Sequence, residues 1–145
     1  VELWGVDWNK KYKKELEDLV ARYHLKNRVL FKGVTHNVLE KNLAADIFAW
    51  PSAYEGFGLA MAEAMSAGLP VVAFRSCQSA REIVREDCGI LVSDGVNAFS
   101  KGLEELMANR EKRVQMGASA KESMRQYAPD KIWDAWDRLI KKGRE

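Results

Sequence analysis

The chain has 145 residues, 47% hydrophobic and 30% charged, the proportions of an ordinary globular domain. At that length one core forms, burying roughly 68–70% of the surface the unfolded chain would expose, and two do not fit. The 23 Lys and Arg against 21 Asp and Glu leave a net charge of +2, which argues against nucleic acid as a partner, and no apolar run approaches the roughly 20 residues of a membrane span.

Residues 1–4 read as a strand, and a chain that starts inside a strand has the look of a piece of something longer. The opening VELWGVDWNKK has no basic region followed by an apolar core, so no signal peptide is expected. Residues 10–23 carry Tyr12, Leu16, Leu19, Val20 and Tyr23 at helical spacing, with Asn9 as N-cap. A β-rich run at 29–32 ends at Gly33, and Asn37 caps a helix through Leu43. After Asp46 the run IFAW has strand length and is stopped by Pro51 and Ser52, as expected of a strand buried on both faces. Gly58 or Leu59 opens a helix that Gly68 and Pro70 end. VVAF at 71–74, a short helix at 81–84 and GILV at 89–92 follow. Strands alternating with helices imply an α/β fold with a parallel, Rossmann-like sheet flanked by helices. From 97 onward only helical patterns remain, at 99–107, 110–124 and 132–140, with Pro129 dividing the last two. Trp133, Trp136, Leu139 and Ile140 form an apolar stripe expected to dock.

In an open parallel sheet, ligands bind beyond the carboxyl ends of the strands, where helix N-termini present N–H groups and positive dipole ends. The segment SAYEGFGLAMAE, 52–63, falls there. Two glycines around Phe57 let the backbone approach a bulky anion, and the first amides of the next helix suit phosphate. Glu55 precedes the turn, and Glu63 lies too far into the helix to cap it. A carboxylate accepts two hydroxyl hydrogen bonds side by side, the geometry of adjacent sugar hydroxyls. Taken singly, either Glu is a solvated surface charge; the spacing of Glu, Gly, aromatic, Gly, apolar and a second Glu is what carries information. Ala60, Ala62, Ala64 and Ala67 are small enough to press this helix on the sheet.

Other groups have plainer readings. His24 and His36 have no partner at ligand or triad spacing, although His36 neighbours the loop after Gly33. Arg75 and Arg81 flank SCQSA, within reach of a phosphate or acceptor, but loop arginines are ordinary surface residues. Cys77 reads as a small exposed residue. Cys77 and Cys88, the only cysteines, have neither CxxC spacing nor a His cluster, so disulfide and zinc are excluded and a reducing, cytosolic compartment fits. Of Trp4, Trp8, Trp50, Trp133 and Trp136, Trp50 belongs in the core. The terminal KKGRE is a solvated helix end, or a contact for an anionic membrane surface. Asp87 and Asp94 lie in unrelated loops and form no DxD element.

The run PSAYEGFGLAMAEAMSAGLPVVAF, with its two glutamates separated by seven residues, resembles the signature of GT-B-fold retaining glycosyltransferases of family 4 (group 1). The likeness extends to KNRVLFKGV, LAADIFAWPS, AREIV, CGILV and the helical tail with Met116, Tyr127 and Trp136. It implies that residues 1–145 are a C-terminal nucleotide-sugar-binding domain, half of a GT-B fold. In such enzymes Glu55 would stand by the donor sugar as the catalytic carboxylate and Glu63 would bind the ribose hydroxyls. The amides of Phe57, Gly58 and Leu59 would hold the diphosphate, and Gly33, Val34 and Thr35 the nucleobase. The implied reaction is hexose transfer from a nucleoside-diphosphate sugar, a UDP-sugar favoured, with retention and without a metal. The implied context, cell-surface polysaccharide, lipopolysaccharide or glycolipid assembly, is analogy.

The family's usual first strand-helix unit, with its Arg and Lys, and its N-terminal acceptor domain have no counterpart here. The missing strand would lie between strands 1–4 and 47–50, so those two are expected to pair directly or to borrow a strand from another copy. The isolated chain is then expected to bind donor weakly and transfer little. The implied setting is a cytoplasmic parent enzyme, either free or peripheral to the inner membrane face. The alternatives are a non-catalytic nucleotide or sugar-binding module, and a receiver domain, which lacks its acidic pair and Lys here.

Overall fold

The computed structural model describes residues 1–7 and 9–143; Trp8, Arg144 and Glu145 lie outside the described residues. The chain divides into two compact units, Val1–Val38 and Leu39–Glu145.

The first unit is one parallel strand-helix-strand. β1 (Glu2–Trp4) pairs with β2 (Leu30–Gly33), joined by α1 (Lys10–Arg22). The expected cap is present: Asn9 accepts from the Tyr12 amide at 3.0 Å, satisfying one of the N–H groups a helix start leaves over. His24, in the left-handed region at φ 56°, ends the helix by donating its amide to the Ala21 carbonyl at 3.1 Å. α2 (Val38–Leu43) begins at the division between the units.

The second unit is built on a parallel sheet in the order β3 (Phe48–Trp50), β4 (Val71–Phe74), β5 (Gly89–Val92). Its helices are α3 (Leu59–Ser66), α4 (Gln78–Ile83), α5 (Val96–Ala108), α6 (Arg110–Met124) and α7 (Pro129–Lys142), with a 3-10 turn at Arg125–Tyr127. β4 is central and reads VVAF because both its faces are covered; Val71, Val72 and Ala73 are fully buried. The core joins Met61 and Met65 of α3 to Ala120 and Met124 of α6, with Val71, Ala73, Cys77 and Cys88. Trp50 packs against this core and stacks on Phe48 with ring centroids 5.5 Å apart.

The α/β class and the parallel strands agree with the sequence pattern, while several details differ. The strands form two sheets, β1–β2 and β3–β4–β5, and the expected direct pairing of strands 1–4 and 47–50 is not found among the described residues. Each strand that follows a helical crossover lies beside its own predecessor, except across α2. The short helix starts at Gln78 rather than Arg81. Cys77 is wholly buried, not exposed, because it opens α4 under the sheet, with Sγ 3.4 Å from the Ser79 hydroxyl. Burial likewise pushes the Cys88 thiol up from its ordinary value. The stripe on α7 is exposed: Trp133 is 72% and Leu139 61% accessible, and no residue of the helix is buried.

The alanines of α3 make only part of the close approach assigned to them, with Ala62 packed against the core. Ala64 is buried, but Ala60 is exposed, and Met61 and Met65 fill the interface. Close approach occurs one turn later, where a Cβ added at Gly117 of α6 would run into the carbonyl of Gly68. Backbone therefore lies on backbone at the end of α3. Gly117→Ala is expected to destabilise the chain by about 1–3 kcal/mol in urea denaturation, the usual cost of overpacking.

In the loop before β5 the Arg85 guanidinium donates to both oxygens of Asp87, at 2.9 and 2.7 Å. This hydrogen bonding lowers the Asp87 carboxyl from 3.8 to about 2. The folded value lies below the unfolded one, so the pair's stabilisation is present above the unfolded value and lost as pH falls through about 2. Carboxyl titration by NMR is expected to move Asp87 back toward 3.8 in Arg85→Ala.

Candidate functional site

β3 ends at Trp50, and Pro51, which has no N–H to continue a ladder, turns the chain toward Ser52. The Ser52 hydroxyl donates to Glu55 Oε1 at 3.0 Å. That bond holds a half-buried carboxylate at the mouth of the turn and leaves its second oxygen for another donor. The pairing was not anticipated, although a hydroxyl three residues before a carboxylate is a common local partner.

The turn ends at Gly58, whose φ of 81° and ψ of 54° lie in the left-handed region that disfavours a Cβ. A side chain here would also stand 3.3 Å from the Met61 methyl. α3 then starts without a side-chain cap, its first intrahelical bond running from the Ala62 amide to the Gly58 carbonyl at 3.0 Å. The amides before Ala62 therefore lack helical partners, at the positive end of the helix dipole. A Cβ at Gly56 would meet nothing within 4 Å, so the turn is open at that residue, while Gly58 itself is buried.

Glu63 lies on the exposed side of α3, opposite buried Met61, Ala64 and Met65. It follows Leu59 by four residues and so shares its face, and helical side chains lean toward the N-terminus. Its carboxylate is carried on a Cα about 6 Å beyond that of Leu59. Among the described residues no ion pair or hydrogen bond engages it. The structure thus brings Glu55, Phe57, Gly58, Leu59 and Glu63 onto one turn and helix, with an anion-suited amide cluster between two carboxylates.

Phe57 is 40% exposed, and its ring meets that of Tyr127 edge-on, at 5.2 Å and 79°. Nothing in the local sequence pointed to this contact, because the two residues are 70 positions apart. The neighbouring loops are also braced. Ser76 after β4 donates to Asp94 after β5 at 2.6 Å, and the Arg75 guanidinium donates to the Leu91 carbonyl at 2.9 Å. Arg75 is thereby engaged by its own sheet, while Arg81 is exposed on α4.

In the first unit, Gly33 accepts from the Gly5 amide at 2.8 Å and lines a cavity of about 360 Å³ together with Leu3, Trp4, Tyr12 and Phe31. Val34 is 59% exposed, and Thr35 Oγ1 accepts from the Asn37 amide at 3.1 Å, so neither side chain lines that cavity. The Lys32 ammonium lies 5.7 Å from the centroid of the Trp4 ring, a cation–π contact that borders β1 and β2. Trp4 and Gly5 were not anticipated here, since β1 was read only as a strand. Among the described residues no helix is long and apolar enough to cross a membrane.

Comparison with known proteins bears on the family and the fold. A glycosyltransferase from Haemophilus influenzae is 28% identical over 142 residues, covering 92% of this chain and 40% of that protein. The amylovoran biosynthesis glycosyltransferase AmsD of Erwinia amylovora is 24% identical, covering 88% of this chain and 36% of that protein. The structure of Anabaena Alr3699/HepE in complex with UDP superposes with a TM-score of 0.79 at 28% identity, covering 86% of this chain and 35% of the other. The chain thus spans two fifths or less of these relatives. The family model for glycosyl transferases group 1 matches residues 2–123, and the chain belongs to that family.

Proposed function

We propose that this chain is the donor-binding domain of a retaining, family-4 hexosyltransferase that takes a nucleoside-diphosphate sugar, with UDP as the favoured nucleotide. The observation that carries the reading is the uncapped start of α3, opened by left-handed Gly58 and flanked by Glu55 and Glu63. A diphosphate needs several aligned donors, and the amides of Phe57, Gly58 and Leu59 supply them without a side-chain competitor. Glu63, leaning back toward that end, takes the ribose hydroxyls. Glu55, with one oxygen held by Ser52, stands toward the transferred sugar. The nucleobase falls to Gly33, Val34 and Thr35. The HepE structure contains UDP, which supports a uridine nucleotide.

The chemistry follows from charge. As the glycosidic bond to the donor breaks, negative charge builds on the leaving diphosphate, and amides already aimed at it stabilise that charge without reorganising. No metal is needed in this scheme. The relatives named for amylovoran and lipopolysaccharide core biosynthesis support a place in cell-surface glycan assembly.

Calorimetric titration with UDP, GDP and ADP tests the site. UDP is expected to bind most tightly, and Glu63→Ala to weaken it about 10- to 100-fold, the loss of hydrogen bonds to a charged group. Unchanged UDP affinity in Glu63→Ala would refute the ribose role. These residues hold only the donor in this scheme, so a radiolabelled UDP-sugar assay is expected to detect no glycosyl transfer by the 145-residue chain; sustained turnover would place the acceptor machinery here as well.

A further inference from the structure

The turn that presents the amides has little stiffness of its own. It holds two glycines, one left-handed, and Gly56 has no protein atom within 4 Å of where a Cβ would stand. Between them is one large side chain, Phe57, partly exposed and in contact with a residue outside α3. That residue, Tyr127, is well anchored. It closes the 3-10 turn after α6, packs against the core cluster, and is followed by Pro129 at the start of α7. The Ala128 amide donates to the Arg125 carbonyl at 3.3 Å, which ties the backbone after Tyr127, and the Gln126 side chain donates from Nε2 to the Ser123 carbonyl at 2.9 Å.

From this we infer that Tyr127 is a positioning residue for the anion-binding turn: its ring holds Phe57 and thereby sets the direction of the Phe57, Gly58 and Leu59 amides. The inference rests on the donor-binding reading for its ligand, a nucleoside diphosphate, but the anchoring itself does not. Tyr127 is half-buried against the core cluster, while its edge-on partner Phe57 sits at the surface on the segment between the two glycines, so the ring links the turn to the core. The edge-on geometry needs the ring of Tyr127 and not its hydroxyl. α3 is then held at both ends by the same neighbour, by Phe57 on Tyr127 at its start and by Gly68 on Gly117 at its end.

The test is backbone 15N relaxation by NMR on the ligand-free chain, paired with UDP titration. In Tyr127→Ala the amides of Phe57, Gly58 and Leu59 are expected to fall from rigid to flexible order parameters, with UDP affinity dropping up to about tenfold, the worth of one aromatic pair. The amides of residues 117–124 in α6 are expected to keep their wild-type order parameters, and Tyr127→Phe to restore both readouts. Should Tyr127→Ala fail to fold, Phe57→Leu removes the same contact from the exposed side, and Gly58 and Leu59 report. Wild-type order parameters at the turn in a folded Tyr127→Ala or Phe57→Leu chain, or an equal drop throughout α6, would overturn the inference. Ring-dependent order at the turn in a chain that does not bind UDP would sink the donor-site reading and leave the anchoring in place.

Discussion

The second unit depends on how closely α3 lies on α6. Met61 and Met65 meet Ala120 and Met124 in one cluster, and the Gly68 carbonyl leaves no room for a methyl group on Gly117. Each buried methionine or valine in such a cluster contributes about 1.5–3 kcal/mol when removed from water. The direction of α3, and so of the amides at its start, is therefore set by a helix some 50 residues further along the chain.

The central strand β4 supplies the other half of the frame. Because Val71, Val72 and Ala73 are buried, the carboxyl ends of β3, β4 and β5 lie in fixed register. Their loops are joined by Ser76 to Asp94 and by Arg75 to the Leu91 carbonyl. On this rigid edge the glycine turn is the soft element. Such a division suits anion binding: the frame holds the helix end, and open backbone meets the ligand.

α7 follows a different logic. Its apolar stripe of Ile132, Trp133, Trp136, Leu139 and Ile140 is coherent in sequence, yet each of these residues is at least 39% exposed. A pattern of this kind reports that a helix has two faces and does not name what meets either of them. The same limit explains Cys77. As a loop residue in the sequence it looked exposed, but it became buried because α4 begins three residues earlier than its apolar pattern suggested.

Local chemistry was legible without coordinates wherever it was set by neighbours in sequence. The cap of α1 by Asn9, the apolar strands, the glycine turn and the two glutamates at i and i+8 all follow from backbone sterics, helical period and hydrogen-bonding groups that lie within a dozen residues of one another. Tertiary structure decided what acts over distance. It buried Met61 and Met65 beside Ala64, placed Gly117 against Gly68, set Tyr127 against Phe57 and separated the strands into two sheets. Composition and period specify which faces must be covered, whereas the partner that covers each face is chosen by packing among segments that sequence proximity does not relate.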